Sequence, residues 1–284
     1  MIPNVPRLVT IELTATPRSL EPIADEPLCT DELLSLVDEL ADAGVTAVRF
    51  VTDERGANDR GLRAIEHARR RRLMPIVALT GSVEDPLVGT IAEAGAVVIA
   101  VPLHSHEAAT HDAIECAFGG WSRSVRMAGI VRDHKCALEI DTRVTPVNAP
   151  PFLPLMETVI ALQAAQWRLT FDVLAASGTF ATAATTGILH AAAENRVPII
   201  VHRLPQLRTG LASVLSGFHP SALRSLTVID AGDEMWISSS GHVSFGTPAG
   251  GRVGNIRRQA IEAFDRPHPK AVPVVELGAQ LAVA

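Results

Sequence analysis

Six ionisable residues stand in or near the ends of runs that read as strands: Glu12, Arg49, Asp141, Arg143, Asp172 and His202. If they share one side of a sheet they form a charged cavity suited to a polar ligand. Arg49, Arg143 and Asp172 would then contact the substrate, and Glu12, Asp141 and His202 could move protons. Asp141 and Arg143 are two residues apart, so both face the same side of a strand. The alternative is structural: Glu12 and Arg49 pair with each other, because buried charges need partners. His104 follows a further strand-like run, with His106 and His111 behind it. This group reads either as a metal or general-base cluster or structurally, with His104 and His106 in a loop, His111-Asp112 at a helix start and a polar pocket role for His104; the expectation is that no metal is bound. Glu21, close to Pro17 and Pro22, is a loop acid or base, or a solvated carboxylate.

Around these residues the composition sets limits. At 284 residues and 47% hydrophobic, the chain can bury a large core, in one α/β barrel or two smaller domains. A formal charge of −6 and the absence of a basic stripe argue against nucleic acid. Arg69–Arg72 reads as the solvated end of a helix complementing its dipole. Cys29, Cys116 and Cys136 are too scattered for a zinc or iron–sulfur site or a disulfide framework. Residues 246–254 are glycine-rich but lack a P-loop lysine, and Ser238–Ser240 lacks a nucleophile elbow. No apolar run approaches the ~18 residues of a membrane span, and the first residues do not read as a signal peptide, so the expected location is cytoplasmic.

Positioning falls to a repeated strand–helix pattern. Runs rich in Val and Ile at 8–13, 46–51, 75–79, 97–102, 137–143, 168–173 and 197–202 predict parallel strands. Helical patterns lie between them at 30–43, 59–72, 84–94, 121–134, 151–165 and 183–195. Thr30 reads as an N-cap, and Gly44 and Gly95 as helix-closing C′ residues. This alternation predicts right-handed βαβ units in an open or closed barrel. Beyond residue 203 the pattern changes: Ser240-Gly241 predicts a hairpin turn, and a short helix is expected near 257–264.

The order of several motifs resembles the radical S-adenosylmethionine (SAM) enzymes that carry a C-terminal SPASM-type extension. Leu8–Thr14 is similar to the strand that in that family leads into C-x3-C-x2-C, whose thiolates hold a [4Fe–4S] cluster. Here the three slots read Pro17, Glu21 and Ala24. Gly44–Val51 resembles the second strand, after which the family's Gly-Gly-acid-Pro loop holds the SAM amino group. Thr52-Asp53-Glu54-Arg55 stands there, so only the acid, Glu54, is retained as a vestigial cofactor contact. Pro102–Ser105 replaces Ser-Leu-Asp-Gly. Thr110-His111-Asp112, Glu139–Asn148, and Trp236–Ser244 through Gly254-Asn255 are similar to further stretches in the same order.

The resemblance implies an α/β fold: an incomplete (β/α)6-type TIM-like barrel over residues 1–202, with a small β-hairpin/helix extension over 203–284. The lost ligands imply a cluster-free pseudoenzyme with no cofactor, in which no [4Fe–4S] cluster is expected and SAM is not retained. It would act as a binding or partner protein in peptide, cofactor or natural-product maturation. Its partner would be an active radical SAM paralogue or a peptide or small-molecule substrate, in a homo- or hetero-oligomer, with no nucleic acid or membrane. The alternative is an enzyme of non-radical acid/base chemistry using Glu12, His104, Asp141 or His202.

Overall fold

Strands with both faces covered need apolar side chains at successive positions, and the Val- and Ile-rich runs take this form. The computed structural model describes residues 8–14, 26–81, 83–148, 152–171, 179–194, 196–202, 224–229, 234–245, 252–261 and 264. Pro17, Glu21, Ala24 and Asp172 lie outside the described residues. The fold class is the expected one, α/β with a parallel-dominated open sheet of incomplete barrel type. Among the described residues no helix is long and apolar enough to cross a membrane.

The chain divides into two compact units. The described residues of the first fall within Met1–Ala100, Ile130–Ala137 and Ala231–Pro269; those of the second fall within Val101–Gly129, Leu138–Asp230 and Lys270–Ala284. The first unit holds β1 (Leu8–Glu12), α1 (Thr30–Asp42), β2 (Ala47–Thr52), α2 (Asp59–Arg70), β3 (Met74–Leu79), α3 (Asp85–Glu93) and the start of β4 (Val98–Pro102). The late strands β9 (Glu234–Ile237), β10 (His242–Phe245) and β11 (Arg252–Asn255) return to it. Its strand order is β11-β10-β9-β1-β2-β3-β4. β9 runs parallel to β1, while the β9–β10 and β10–β11 pairs are antiparallel. The β9–β10 turn is the expected one: Gly241 takes φ +85° and donates its N–H to Ser238 O at 2.9 Å.

In this unit Ala47, Ile76 and Val98 form one buried apolar cluster across β2, β3 and β4, and Val51, Ala78 and Ala100 form another, with Trp236 against it. Two arginines fix the chain around the start of α1. Arg60 of α2 donates to Leu13 O at 2.7 Å and also to Leu28 O. Arg257 forks onto Glu32 at 2.6 and 3.0 Å and donates to Glu26 O and Pro27 O. That guanidinium, first among the causes, holds the Glu32 carboxyl down at about 2.

The second unit holds α4 (Ala108–Glu115), most of α5 (Gly120–Asp133), β5 (Ala137–Val144) from Leu138, α6 (Phe152–Ala161), β6 (Gln166–Phe171), α7 (Thr179–Ala193), β7 (Ile199–His202) and β8 (Leu226–Ile229). Its parallel strands run β5-β6-β7-β8. Phe152 of α6 packs on Trp167 of β6 with ring centroids 6.2 Å apart, so helix covers the Trp167 face of the sheet.

Three local expectations change. The N-cap of α1 is Cys29, one residue before Thr30, because Glu32 reaches back to accept the Cys29 N–H at 2.7 Å. The sixth strand starts two residues earlier than 168, since Gln166 pairs with Glu139. A separate helix, α4, fills 108–115, where only a helix start at His111 was read; its weak apolar stripe, with His111 its sole fully buried residue, gives little periodicity to find. The short helix expected near 257–264 lies partly outside the described residues: residues 256–258 form a turn, and Ile261 opens a 3-10 turn whose O accepts the Phe264 N–H at 3.2 Å. Gly44 and Gly95 close their helices at φ +82° and +103°, as expected.

Gly61 tests how tightly the first unit is packed. A Cβ there would stand 2.1 Å from Gly56 O and 3.0 Å from Leu13 Cδ1. Helix propensity alone favours alanine over glycine by about 1 kcal/mol. The backbone clash reverses the sign: Gly61→Ala is expected to destabilise by about 1–3 kcal/mol in urea unfolding. A stabilised variant would show that the close approach is not there.

Candidate ligand-binding site

The second unit turns one sheet face into a polar surface, and strand register arranges it in rows. Along β5 the even residues Leu138, Ile140, Thr142 and Val144 are buried, so Glu139, Asp141 and Arg143 share the other face. Across β6 and β7 the first row is Glu139–Gln166, the second Asp141–Arg168–Ile200, and the third, at the strand ends, Arg143–Thr170–His202. Gln166 donates its amide to Glu139. The half-buried Asp141 lies opposite the buried Arg168, a pairing of opposite charges. Arg168 also donates to His202 Nδ1 at 3.3 Å; both residues are over nine-tenths buried.

Where β4 and β5 end, side chains replace the missing ladder bonds. His111 Nδ1 accepts the His104 N–H at 3.0 Å, and His104 Nδ1 accepts the Arg143 N–H at 3.1 Å. The His104 ring therefore carries its proton at Nε2, which donates to Glu115 Oε1 at 2.5 Å. The two rings stack with centroids 5.2 Å apart. Asn148 donates to His104 O at 2.7 Å and to Arg143 O at 2.6 Å, and Thr142 Oγ1 donates to Leu103 O at 2.5 Å. Asp112 accepts the N–H groups of Gly119 and Trp121, which caps α5 and lowers its own pKa, with the Trp121 bond the largest cause. Burial, then the neighbouring His104, pushes the His111 imidazole down to about 4; Glu115 and Asp112 oppose this.

Beside this lock lies a pocket of about 150 Å³ lined by Ser105, His106, Glu107 and Thr110, which follow β4, and by Val147, Asn148 and Leu155, which follow β5. The segments that form it follow the ends of β4 and β5. Val147 is 69% exposed, an apolar side chain facing solvent at the rim.

The candidate residues from the sequence separate between the units. Glu12 ends β1 and Arg49 sits inside β2, both buried in the first unit. Arg49 lies in register with Thr10, whose hydroxyl donates to Glu234 at 2.6 Å. Glu54 is exposed in the turn before α2. His104, Asp141, Arg143 and His202 belong to the second unit. Glu115, Arg168, Thr170 and Asn148 were missed as site residues. Asn148 was visible only as part of a motif, and nothing local marks the other three.

The fold is a radical SAM-like one. The chain is similar to SuiB of Streptococcus suis bound to S-adenosylmethionine (TM-score 0.65, 9% identity), over 94% of this chain and 65% of that one. It is similar to anSMEcpe with bound AdoMet (TM-score 0.62, 13% identity), over 92% and 80% of the two chains. It also matches an HMG-CoA lyase from Acenitobacter baumannii in complex with coenzyme A and 3-methylmalate (TM-score 0.52, 11% identity), over 99% and 90%. The chain thus spans about 65% of the length of SuiB. No family model matches the chain, and no curated protein is similar to it in sequence.

These likenesses correct one expectation. The reading that the chain has no cofactor and retains no SAM is overturned, because solved structures of this fold are bound to S-adenosylmethionine. That reading weighed a few lost side chains. A ligand at the mouth of a barrel is held by many strand ends and loops, so one altered loop does not decide binding. In the loop after β2, the carbonyl of Thr52 accepts from Thr80 N and Oγ1, and Asp53 accepts the N–H groups of Arg55 and Gly56. The exposed Glu54 carboxylate is what the loop offers an ammonium group. Among the described residues no group of three His, Cys, Asp or Glu side chains gathers to hold a metal ion.

His111 makes the lock sensitive to acid. Its folded value near 4 lies below the ordinary 6.5, so its neutral form is favoured by folding. The stability it contributes is complete above about pH 6.5 and is lost as pH falls through about 4, on the order of 3 kcal/mol. His111→Asn keeps an acceptor for the His104 N–H but cannot titrate. Urea unfolding at pH 7 and pH 4 should show that variant losing correspondingly less stability; equal losses would contradict the assignment.

Proposed function

We propose that this chain is a peptide-binding partner protein in the maturation of a peptide, cofactor or natural product, standing on a radical SAM-like fold. The pocket at the ends of β4 and β5 carries this reading. Small-molecule sites usually enclose about 300–1,000 Å³; one of about 150 Å³ suits a single side chain of an extended chain. Its apolar members, Val147 and Leu155, supply contact area, while the Ser105 and Thr110 hydroxyls offer hydrogen bonds to a backbone. The peptide complexes of neighbours with the fold support the same reading: SuiB is solved bound to precursor peptide SuiA, and anSMEcpe with AdoMet and the Kp18Cys peptide.

A second reading, acid/base turnover of a small polar or peptide substrate, is favoured by one observation. Arg168 can only donate, so its bond to His202 Nδ1 leaves a neutral imidazole whose Nε2–H can polarise a substrate oxygen, on the face that also holds Asp141 as a base.

Panning a random dodecapeptide library on the full chain tests the first reading. Enriched peptides should bind in fluorescence anisotropy, and Val147→Asp should weaken them at least tenfold, about 1.4 kcal/mol. Absence of enrichment, or affinity indifferent to that change, would remove the pocket as the peptide site. Mass spectrometry of the bound peptides then separates the two readings. Turnover predicts a changed mass and a loss of about 10²–10⁴-fold in rate for His202→Gln, whereas a partner protein returns its peptide unaltered.

A further inference from the structure

The row at the strand ends is a row of donors. Arg143 has five guanidinium N–H groups to place. Its Nε is buried without a hydrogen-bond partner, and its ion pair with Glu115 Oε1 is stretched to 4.0 Å. That oxygen is already engaged by His104 Nε2 at 2.5 Å. The guanidinium is reachable, because the Arg143 side chain remains 24% exposed. In register beside it stands the Thr170 hydroxyl, and beside that His202. Arg168 occupies His202 Nδ1, so the Nε2 of the neutral ring carries hydrogen. Asp141, the nearest carboxylate on the face of β5, lies one row back opposite Arg168.

We infer that Arg143, with Thr170 and His202, forms a carboxylate-binding site at the ends of β5, β6 and β7, which takes a carboxylate of the bound peptide. The inference rests on the peptide-binding reading for its ligand, and on these residues for its chemistry. A planar carboxylate matches the guanidinium fork, and a charge-assisted pair there satisfies donors that Glu115 leaves unfilled. The Glu139–Gln166 and Asp141–Arg168 rows beneath are complementary within themselves, so charge selection belongs to the top row. The carboxylate can be the C-terminus of the peptide or an acidic side chain.

The test uses small probes on the full chain. N-acetylglycine represents a C-terminus, N-acetyl-aspartate α-methylamide an acidic side chain, and N-acetylglycinamide the uncharged control. The Arg143 Nε–H resonance is assigned by its loss in Arg143→Lys. The inference expects one or both carboxylates to shift that resonance and to bind at least tenfold more tightly than the amide; the tighter acid identifies the source. Arg143→Gln should abolish the preference. Thr170→Val, which leaves the Glu115 contact alone, should reduce it about threefold if the first variant folds poorly. An unmoved Arg143 signal, or equal affinity for acid and amide, would overturn the site. Panned peptides that bind through Val147 but equally as acid and amide would remove this inference and leave the peptide reading. Carboxylate binding without any peptide binding would do the reverse.

Discussion

Every parallel strand that ends must hand its last backbone groups to something other than a neighbouring strand. In the second unit that constraint is met by side chains that bond in sequence. His111 takes the N–H of His104, His104 takes the N–H of Arg143, and Asn148 closes on the carbonyls of both. The exits of β4 and β5 are thereby fixed to each other. The pocket segments that follow them inherit that rigidity. Because each imidazole uses Nδ1 as an acceptor, the order holds only while both rings stay neutral at that atom. The first unit solves the same problem with arginine: Arg60 gathers the carbonyls of Leu13 and Leu28, and Arg257 those of Glu26 and Pro27.

This division explains why some ionisable residues serve the fold and others remain for a ligand. Both His104 ring nitrogens are committed, one to backbone and one to Glu115. Arg143 contributes its backbone to the lock but keeps most of its guanidinium unfilled. One residue thus joins the rigid frame to an accessible polar face, which is the preorganisation a selective site needs. The same fold holds S-adenosylmethionine in SuiB and anSMEcpe, and identities of 9–13% leave room for loops to be rebuilt around it.

Much of the fold was legible in the sequence because its signals are local. The Val- and Ile-rich runs, the apolar stripe of α1 and the glycines at 44 and 95 each carry their own physical reason. The hairpin at Ser240-Gly241 was legible for the same cause. Helix α4 was not, since a short helix with one fully buried residue has little periodicity. Nor was the Cys29 cap, where the start of the helix is marked by the Cys29 N–H donating to Glu32 and not by a serine or threonine hydroxyl at the cap. Of the site, Asp141 and Arg143 could be read as sharing a face from their spacing alone. Thr170 and Glu115 could not, being ordinary residues in ordinary contexts.

By itself, then, the sequence determined the alternation of strand and helix, the turn positions and which residues of one strand share a face, because these follow from periods of 2 and 3.6 residues along the chain. Only the tertiary structure decided which candidates meet. Register placed Arg143, Thr170 and His202 in one row, and it put Glu12 and Arg49 in a different unit from His104, Asp141 and His202. Pairing between strands is a long-range choice made by packing. The tautomers of His104 and His202 depend in turn on partners 39 and 34 residues away.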